Sequence, residues 1–581
     1  MRPRAVIRFL AGILAVAPVA LQSAPPLKAA VTWVGNSFPG ASNRWVQNFF
    51  IHTGVDPDGT VSTWSHWDEG GRRFGQYRDG DVVGNTNRNP NSLQTRDRNG
   101  RLWTLGVRYT DPKHQEWEFV PEEISCDGKP VHFPDLFQPM ALAMANDGSL
   151  MVADSGTGPR QQVLFYDVRD ADHPRLVREF GDRGGIRSGT PGQILPTKFW
   201  GIRGLGMDAA GNLYVAMSEQ GSVLRSFTPD GTLRWEVHGE FFCDVAAADP
   251  SDDADTVWGI QERYAMEWSQ PPGRDSRWVA YTLDRHRYPN DPRGLMHVKQ
   301  QGEHGLTSPQ VVYLQGRRFL FVGGMFASNF INIFRFEGDI AVPSGLILQW
   351  GNSLYNTDLA WPPHKPAGTS IWRDLNGDGD YQAAEYSPNT DLVTPGPFWV
   401  DRKGNLWMAY GFFRYDFQGL DGQGNPIYAA VKVTRLDKPE GVNRVARVCY
   451  LDDTDTLVIG EEGEDMRHLQ RVFICPGYLA GNRKTVSFVP TAGREAACVT
   501  AAGDYVFTGG WKERGRIGVH RLRDGTEVGI LDPGPTVGGV ENTGWIDLLT
   551  GITACRRSNG EYLVFVEENY KAKCLIYRWK P

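Results

Sequence analysis

The stretch GLGMDAAGNLYVAMSEQGSVLRSFTPDGTLRW, from Gly204 to Trp235, decides the fold. Apolar runs at 205–207, 213–217 and 223–227 are separated by a tight turn, DAAG at 208–211, and a polar break at 218–221; a second turn, PDG at 229–231, launches a fourth run at 232–237. Short apolar runs divided by reversals rich in Gly, Asp and Asn read as successive antiparallel strands. One such sheet cannot bury both faces alone, so the pattern has to recur.

It recurs along the whole chain. Strand, turn and strand return around DPDG at 56–59, DRNG at 97–100, NDG at 146–148, DRKG at 401–404, DDTD at 452–455, AAGD at 501–504 and RSNG at 557–560. Segments 257–283 and 309–336 read as degenerate copies, with Gln315 and Gly316 as the turn of the second. The spacing, roughly forty to sixty residues, is the period of propeller blades rather than of helical solenoids. A chain of 581 residues is also too long for one ordinary core. The reading is an all-β, large β-propeller of repeated four-stranded blades, about seven to ten of them. The last copy, 545–579, supplies three strands, so Val31 to Val34 or a neighbouring N-terminal segment is expected to close the final blade and remove its edge.

LFQPMALAMANDGSLMVADSGTGPRQQVLFYDV, 136–168, resembles an NHL-type blade: a proline opens the inner strand, Asp-Gly makes the turn, and an apolar strand ends in Ala-Asp-Ser. The copy at 200–227 resembles it too. The wider likeness is to NHL and gluconolactonase-like (SMP30-type) propellers. That resemblance implies a divalent metal held by a Glu, an Asn and an Asp at the channel, parts that Glu69, Asp154 or Asp284 could play.

Aligned on their turns, the copies share a column in the innermost strand: Gly54, Ala143, Gly206, Trp399, Cys449, Cys498 and Cys555. All but Trp399 are small, as crowding near a central axis requires, and the three cysteines there read as buried packing residues. Cys126, Cys243, Cys475 and Cys574 remain candidates for disulfides.

Residues 1–30 read as a secretory signal: Arg2, Arg4 and Arg8 precede an apolar run at 9–21, with small residues and prolines to Ala30. No later run is long and apolar enough to span a bilayer, so a secreted or periplasmic protein is expected. The formal charge of −7 carries no basic stripe, which argues against nucleic acid. A small molecule, a glycan or another protein remains as partner. The expected organisation is a propeller over 31–353 and 395–581, interrupted by an insertion at 354–394.

That insertion holds the sharpest local motif. Asp374, Asn376, Asp378, Gly379, Asp380 and Glu385 stand at positions 1, 3, 5, 6, 7 and 12 of the twelve-residue calcium loop. Side-chain oxygens fall at 1, 3 and 5, the glycine permits the sharp turn, Asp380 offers its carbonyl, and Glu385 closes the shell. Ca2+ is the expected cofactor, stapling the insertion.

The breaks after the second strand of each copy should gather on one face, where the channel opens. They hold Trp64, His66, Trp67 and Glu69; Asp154; Glu219; Asp284 and His286; Glu461 and Glu462; Trp511 and Glu513; and Glu567 and Glu568. Repeated surface turns also carry acids for solvation alone. Converging carboxylates beside Trp64, Trp67 and Trp511 suit a glycan or sugar acid, whose hydroxyls need acceptors and whose ring face stacks on indole. The alternative is a hydrolase or lyase acting on a sugar lactone or polysaccharide, with Glu69, His66, Asp154 and Asp284 as its catalytic groups. Arg203 and Arg225 are expected to pair with nearby acids of the fold.

Overall fold

The computed structural model describes residues 24–581 except 42–43, 66–72, 86–89, 110–118, 157, 220, 241–244, 295–307, 325–329, 349–360, 389–395, 466–467, 491–495, 512–513, 538–545, 547–548 and 572. Residues 1–23 of the segment 1–30 expected to be a secretory signal lie outside them, as does Cys243.

Within them stand nine four-stranded antiparallel sheets, one six-stranded sheet and one two-stranded hairpin. In chain order the ten larger sheets are I (50–84), II (94–131), III (139–180), IV (202–240), V (247–281), VI (310–388), VII (398–435), VIII (445–488), IX (496–531) and X (552–579). Most are simple meanders. Sheet IV, for example, runs Ile202–Met207, Leu213–Met217, Gly221–Phe227 and Leu233–Glu240, each strand pairing with the next. Sheet X takes its fourth strand from the other end of the chain: Ala29–Val34 pairs antiparallel with Lys573–Trp579, as the three-stranded last copy requires. The chain before it also engages sheet IX, where Leu27 N–H donates to the Ile530 carbonyl at 2.8 Å.

The turns form where the sequence places them, for a chemical reason. Gly59, Gly100, Gly148, Gly211, Gly404 and Gly560 all have φ between 81° and 90°, a region that costs a side chain dearly. In sheet IV, Asp208 Oδ1 accepts the Asn212 N–H at 2.8 Å while Oδ2 accepts the Tyr214 hydroxyl at 2.9 Å. The same bracket, a turn carboxylate holding an aromatic donor of the second strand, recurs as Asp97 with Trp103 at 3.2 Å, Asp249 with Trp258 at 3.0 Å and Asp401 with Trp407 at 2.9 Å.

The small-residue column lies in first strands throughout. A Cβ on Gly206 would stand 2.4 Å from Val55 Cγ2, so the column is small because the first strand of sheet I lies against that of sheet IV. The first strands of II, III, IV and I touch in that order, and those of V to X touch in succession, with X returning to V. One core, including Ala141, Phe165, Trp200, Val215, Tyr264, Tyr281 and Phe565, joins sheets III, IV, V and X. No disulfide joins the six described cysteines, the expected candidates Cys126, Cys475 and Cys574 included, and all but Cys555 are buried, in keeping with a packing role.

Two expectations are corrected. Sheet V begins earlier than 257, with the two-residue strand Ala247–Ala248, because a turn without glycine hides it; its second strand is Thr256–Trp258. Asp284 and His286 therefore follow its fourth strand, Ser276–Tyr281, rather than its second. The part of the expected insertion that is described adds the strands Ser370–Arg373 and Tyr386–Pro388 to the outer edge of sheet VI. No helix among the described residues is long and apolar enough to cross a membrane.

Candidate functional site

In a four-stranded meander the second and fourth strands end on the same face. At that face of sheets III, IV and V lies a narrow cleft lined by Gly156, Gln161, Ile186, Arg187, Trp200, Glu219, Tyr281, Leu283, Asp284, Arg285 and His286. Its floor is aromatic. The Trp200 and Tyr281 rings stack at 6.0 Å with 18° between planes, Trp278 meets Trp200 edge-on at 5.5 Å, and the Arg225 guanidinium lies 5.4 Å from the Trp200 ring.

Its rim is charged. Arg285 Nη1 lies 3.2 Å from Glu219 Oε1, both side chains about one-fifth exposed. Gly201, at φ +54°, lets the chain pass Glu219: a Cβ there would stand 2.8 Å from the Glu219 Cβ. Asp284 Oδ1 accepts the N–H groups of His286 and Arg287, each at 3.1 Å, which turns the chain so that Asp284, Arg285 and His286 all line the cleft. Gln161 Oε1 accepts the Gly201 N–H at 3.0 Å and the Ser155 hydroxyl at 2.7 Å, tying sheet III to sheet IV at the cleft's edge. The Tyr281 hydroxyl donates to Gln261 at 3.1 Å, and burial, reinforced by the Glu219 charge, holds it well above the usual phenol range. It is thus a neutral donor with its proton already committed. The arrangement brings carboxylate acceptors and guanidinium donors to one small opening above a buried aromatic pair, groups that suit hydroxyls and a carboxylate.

The sequence-derived candidates divide. Glu219 and Asp284 come together here, joined by His286. His66, Trp67, Glu69 and Glu513 lie outside the described residues. Trp64 belongs to the strand Val61–Ser65, is buried, and stacks on His52 at 5.7 Å, away from the cleft. Trp511 is half-buried beyond the strand Tyr505–Gly510 of sheet IX. Asp154 is fully buried and accepts the N–H groups of Phe137 and Gln138 at 3.2 and 2.7 Å, with Arg160 at 3.7 Å. Burial pushes its carboxyl above the usual range despite those donors. Its contacts are those of a bracket within sheet III. Arg225 pairs with Glu236 at 2.6 Å, the fold-internal role expected of it. Trp200, Tyr281, Gln161, Arg187 and Arg285 were not read as site residues. Gln161 stands in the second-strand break of sheet III, as Glu219 does in that of sheet IV; the signal for the others would have been the fourth-strand exits and first-strand entries, which share that face.

The twelve-residue loop is the tip of the added hairpin on sheet VI. Asp374 Oδ1 accepts the Gly377 N–H, Asn376 Oδ1 that of Asp378, and Asp378 Oδ1 that of Asp380, each at 2.9 Å. Gly379 makes the sharp turn at φ +73°. Glu385, buried, accepts the Leu375 N–H at 2.8 Å and the Trp372 indole at 2.9 Å. Asp380 Oδ1 takes Asn290 Nδ2 at 2.9 Å. Arg335 clamps the loop from the sheet, through Asp374 Oδ2 at 2.5 Å and the Gly377 carbonyl at 2.9 Å. Among the described residues no three His, Cys, Asp or Glu side chains are arranged as a metal-holding group.

Comparison of the chain with models of known protein families and with curated proteins finds no match.

Proposed function

We propose that the ten sheets are the blades of a secreted protein built like the NHL and gluconolactonase-like propellers, with sheets V to X as one ring and sheets I to IV beside it, and that the cleft at sheets III, IV and V binds a glycan or sugar acid. The observation that carries the reading is the meeting of the Trp200–Tyr281 stack with the Glu219–Arg285 pair in one opening. Support for the architecture comes from the repeated turn brackets and from Ala29–Val34 completing sheet X. Support for export comes from the N-terminal leader. Sugar hydroxyls would bond to Glu219 and Asp284, and a ligand carboxylate to Arg285 or Arg187, over the buried aromatic floor.

The proposed Ca2+ site is the loop on sheet VI, with Asp374, Asn376, Asp378 and Glu385 supplying side-chain oxygens and Asp380 its carbonyl. The curl of the loop on its own N–H groups supports that reading. His286 beside Asp284 supports the second reading, a hydrolase or lyase on a sugar lactone or polysaccharide, in which these two would manage the proton.

A glycan array and a lactone-hydrolysis screen on wild type, Glu219→Gln and Arg285→Gln test both. Binding that weakens about tenfold or more in each variant supports the cleft. Binding or turnover of wild-type strength in both variants removes it.

A further inference from the structure

The seam between sheets IV and V contains two buried carboxylates that form no ion pair with a described residue. Glu240 ends the strand Leu233–Glu240 and Glu262 opens the strand Glu262–Met266, on the face that also carries the cleft. Their exposures are 1% and 0%. Among the described residues each has a buried Oε1 with no hydrogen-bond partner, whereas Glu262 Oε2 accepts the Gln261 N–H at 3.1 Å. Sheets IV and V are packed tightly there, with His238 against Trp278 at 5.6 Å and Trp278 against Trp200.

The cations of this region are already matched. Arg225 is held by Glu236 and Arg293 by Asp291, each at 2.6 Å, and Arg285 by Glu219. Arg225 also faces Glu240 and Arg293 faces Glu262, but each is bonded to another acid, so the four carboxylates Glu236, Asp291, Glu240 and Glu262 outnumber the two arginines by two. A buried ion without a partner costs several kcal/mol. Two adjacent ones must therefore take up protons or enclose a cation. Burial, with the charge of Glu262, holds Glu240 well above the usual carboxylate range, and burial pushes Glu262 up to about 8.

We propose that Glu240 and Glu262 together hold a divalent cation in the seam between sheets IV and V. One dication balances the two carboxylates, and the unpartnered Oε1 atoms are hard oxygen ligands, which favours calcium over zinc. Among the described residues no third acidic, histidine or cysteine side chain joins them, so water and carbonyl oxygens would complete the shell. The site would lock sheet IV to sheet V beside the cleft. It is separate from the loop on sheet VI and stands whether or not the cleft binds a sugar.

The test counts cations on the full chain after chelation and reloading, using Ca2+ by titration calorimetry and Tb3+ luminescence sensitised by the indoles of Trp200 and Trp278. In an Asp378→Ala background, which removes an exposed ligand of the loop, about one cation per chain should remain. Adding Glu262→Gln, or separately Glu240→Gln, should weaken it at least about tenfold and quench the sensitised emission. No cation remaining in Asp378→Ala overturns the proposal, as does a remaining cation that both glutamine variants keep. Glu262→Gln raising the melting temperature at pH 8 in calcium overturns it too, because the pair then stores protons. Should a glutamine variant fail to fold, the stoichiometry of Asp378→Ala alone decides.

Discussion

Sheets IV and V are consecutive in the chain and unequal in regularity. Sheet IV has strands of five to eight residues and a turn whose glycine sits at φ +84°. Sheet V opens with two residues and passes through a turn in which Asp253 and Ala254 take the positive φ themselves, at 56° and 68°. Both keep the bracket: Asp208 holds Tyr214 and Asp249 holds Trp258. Strand length can be lost while the turn carboxylate survives, because the bracket fixes the reversal whether or not the ladder beyond it is long. What the irregular sheet adds is chemistry. Asp284, Arg285 and His286 of the cleft rim come from its exit, and Glu262 from its shortened middle.

The sharpest way to break the comparison is to crowd the regular sheet. Gly206→Val would drive a β-branched side chain into Val55, whose Cγ2 lies 2.4 Å from the new Cβ, between two first strands that cannot separate without opening the core. A loss of about 3 kcal/mol is expected, read as a lower urea midpoint. Ala248→Val, at a partly exposed position in the first strand of sheet V, should cost under about 1 kcal/mol. Equal costs would mean that the inner column is no more crowded in the regular sheet than in the irregular one.

The same contrast explains what could be read from residues alone. The turns were legible because Asp and Gly at a reversal have few other uses, and the closing N-terminal strand because a three-stranded copy leaves an edge. The first strand of sheet V was hidden, since AAADPSDDADTV carries no glycine where its turn comes. The cleft was half legible. Glu219 announces itself as a carboxylate in a break, but nothing in the sequence tells that Asp154 faces the N–H groups of its own chain, or that Trp64 lies in a strand against His52. Trp200 and Tyr281 were missed because second-strand breaks alone define only half of a face.

A second prediction concerns the seam in calcium-free, chelated buffer. Glu262, pushed up to about 8 by burial from an ordinary 4.5, keeps a proton in the folded chain that the unfolded chain releases. Its contribution is complete below the unfolded value and is lost as pH rises through about 8. Stability should therefore fall between those limits, with a slope approaching roughly 1.4 kcal/mol per pH unit for each of the two carboxyls that keeps its proton, Glu240 being raised as well. Chemical denaturation at stepped pH reads the slope, and saturating Ca2+ should flatten it, since a cation takes the place of the proton. A slope that is absent without calcium, or unchanged with it, would leave sheets IV and V without a titrating seam.

The smallest expected effect is the most telling for the cleft. The Glu219–Arg285 pair, at 3.2 Å and about one-fifth exposed, resembles an ordinary ion pair near water, worth about 0.5 kcal/mol to the fold. Arg285→Gln should therefore leave the urea midpoint nearly unchanged while ligand affinity drops. The two readouts separate because the fifth of the pair that folding leaves in water is the part a ligand at the cleft would cover, excluding that water and strengthening each bond. The Asp154–Arg160 contact offers the control. Asp154 is wholly buried, so Asp154→Asn should cost stability through its two N–H donors and leave binding intact wherever the variant folds. If Arg285→Gln instead costs about 3 kcal/mol, the pair is an internal strut between sheets IV and V, and a rim that cannot be changed without unfolding the seam is no binding site.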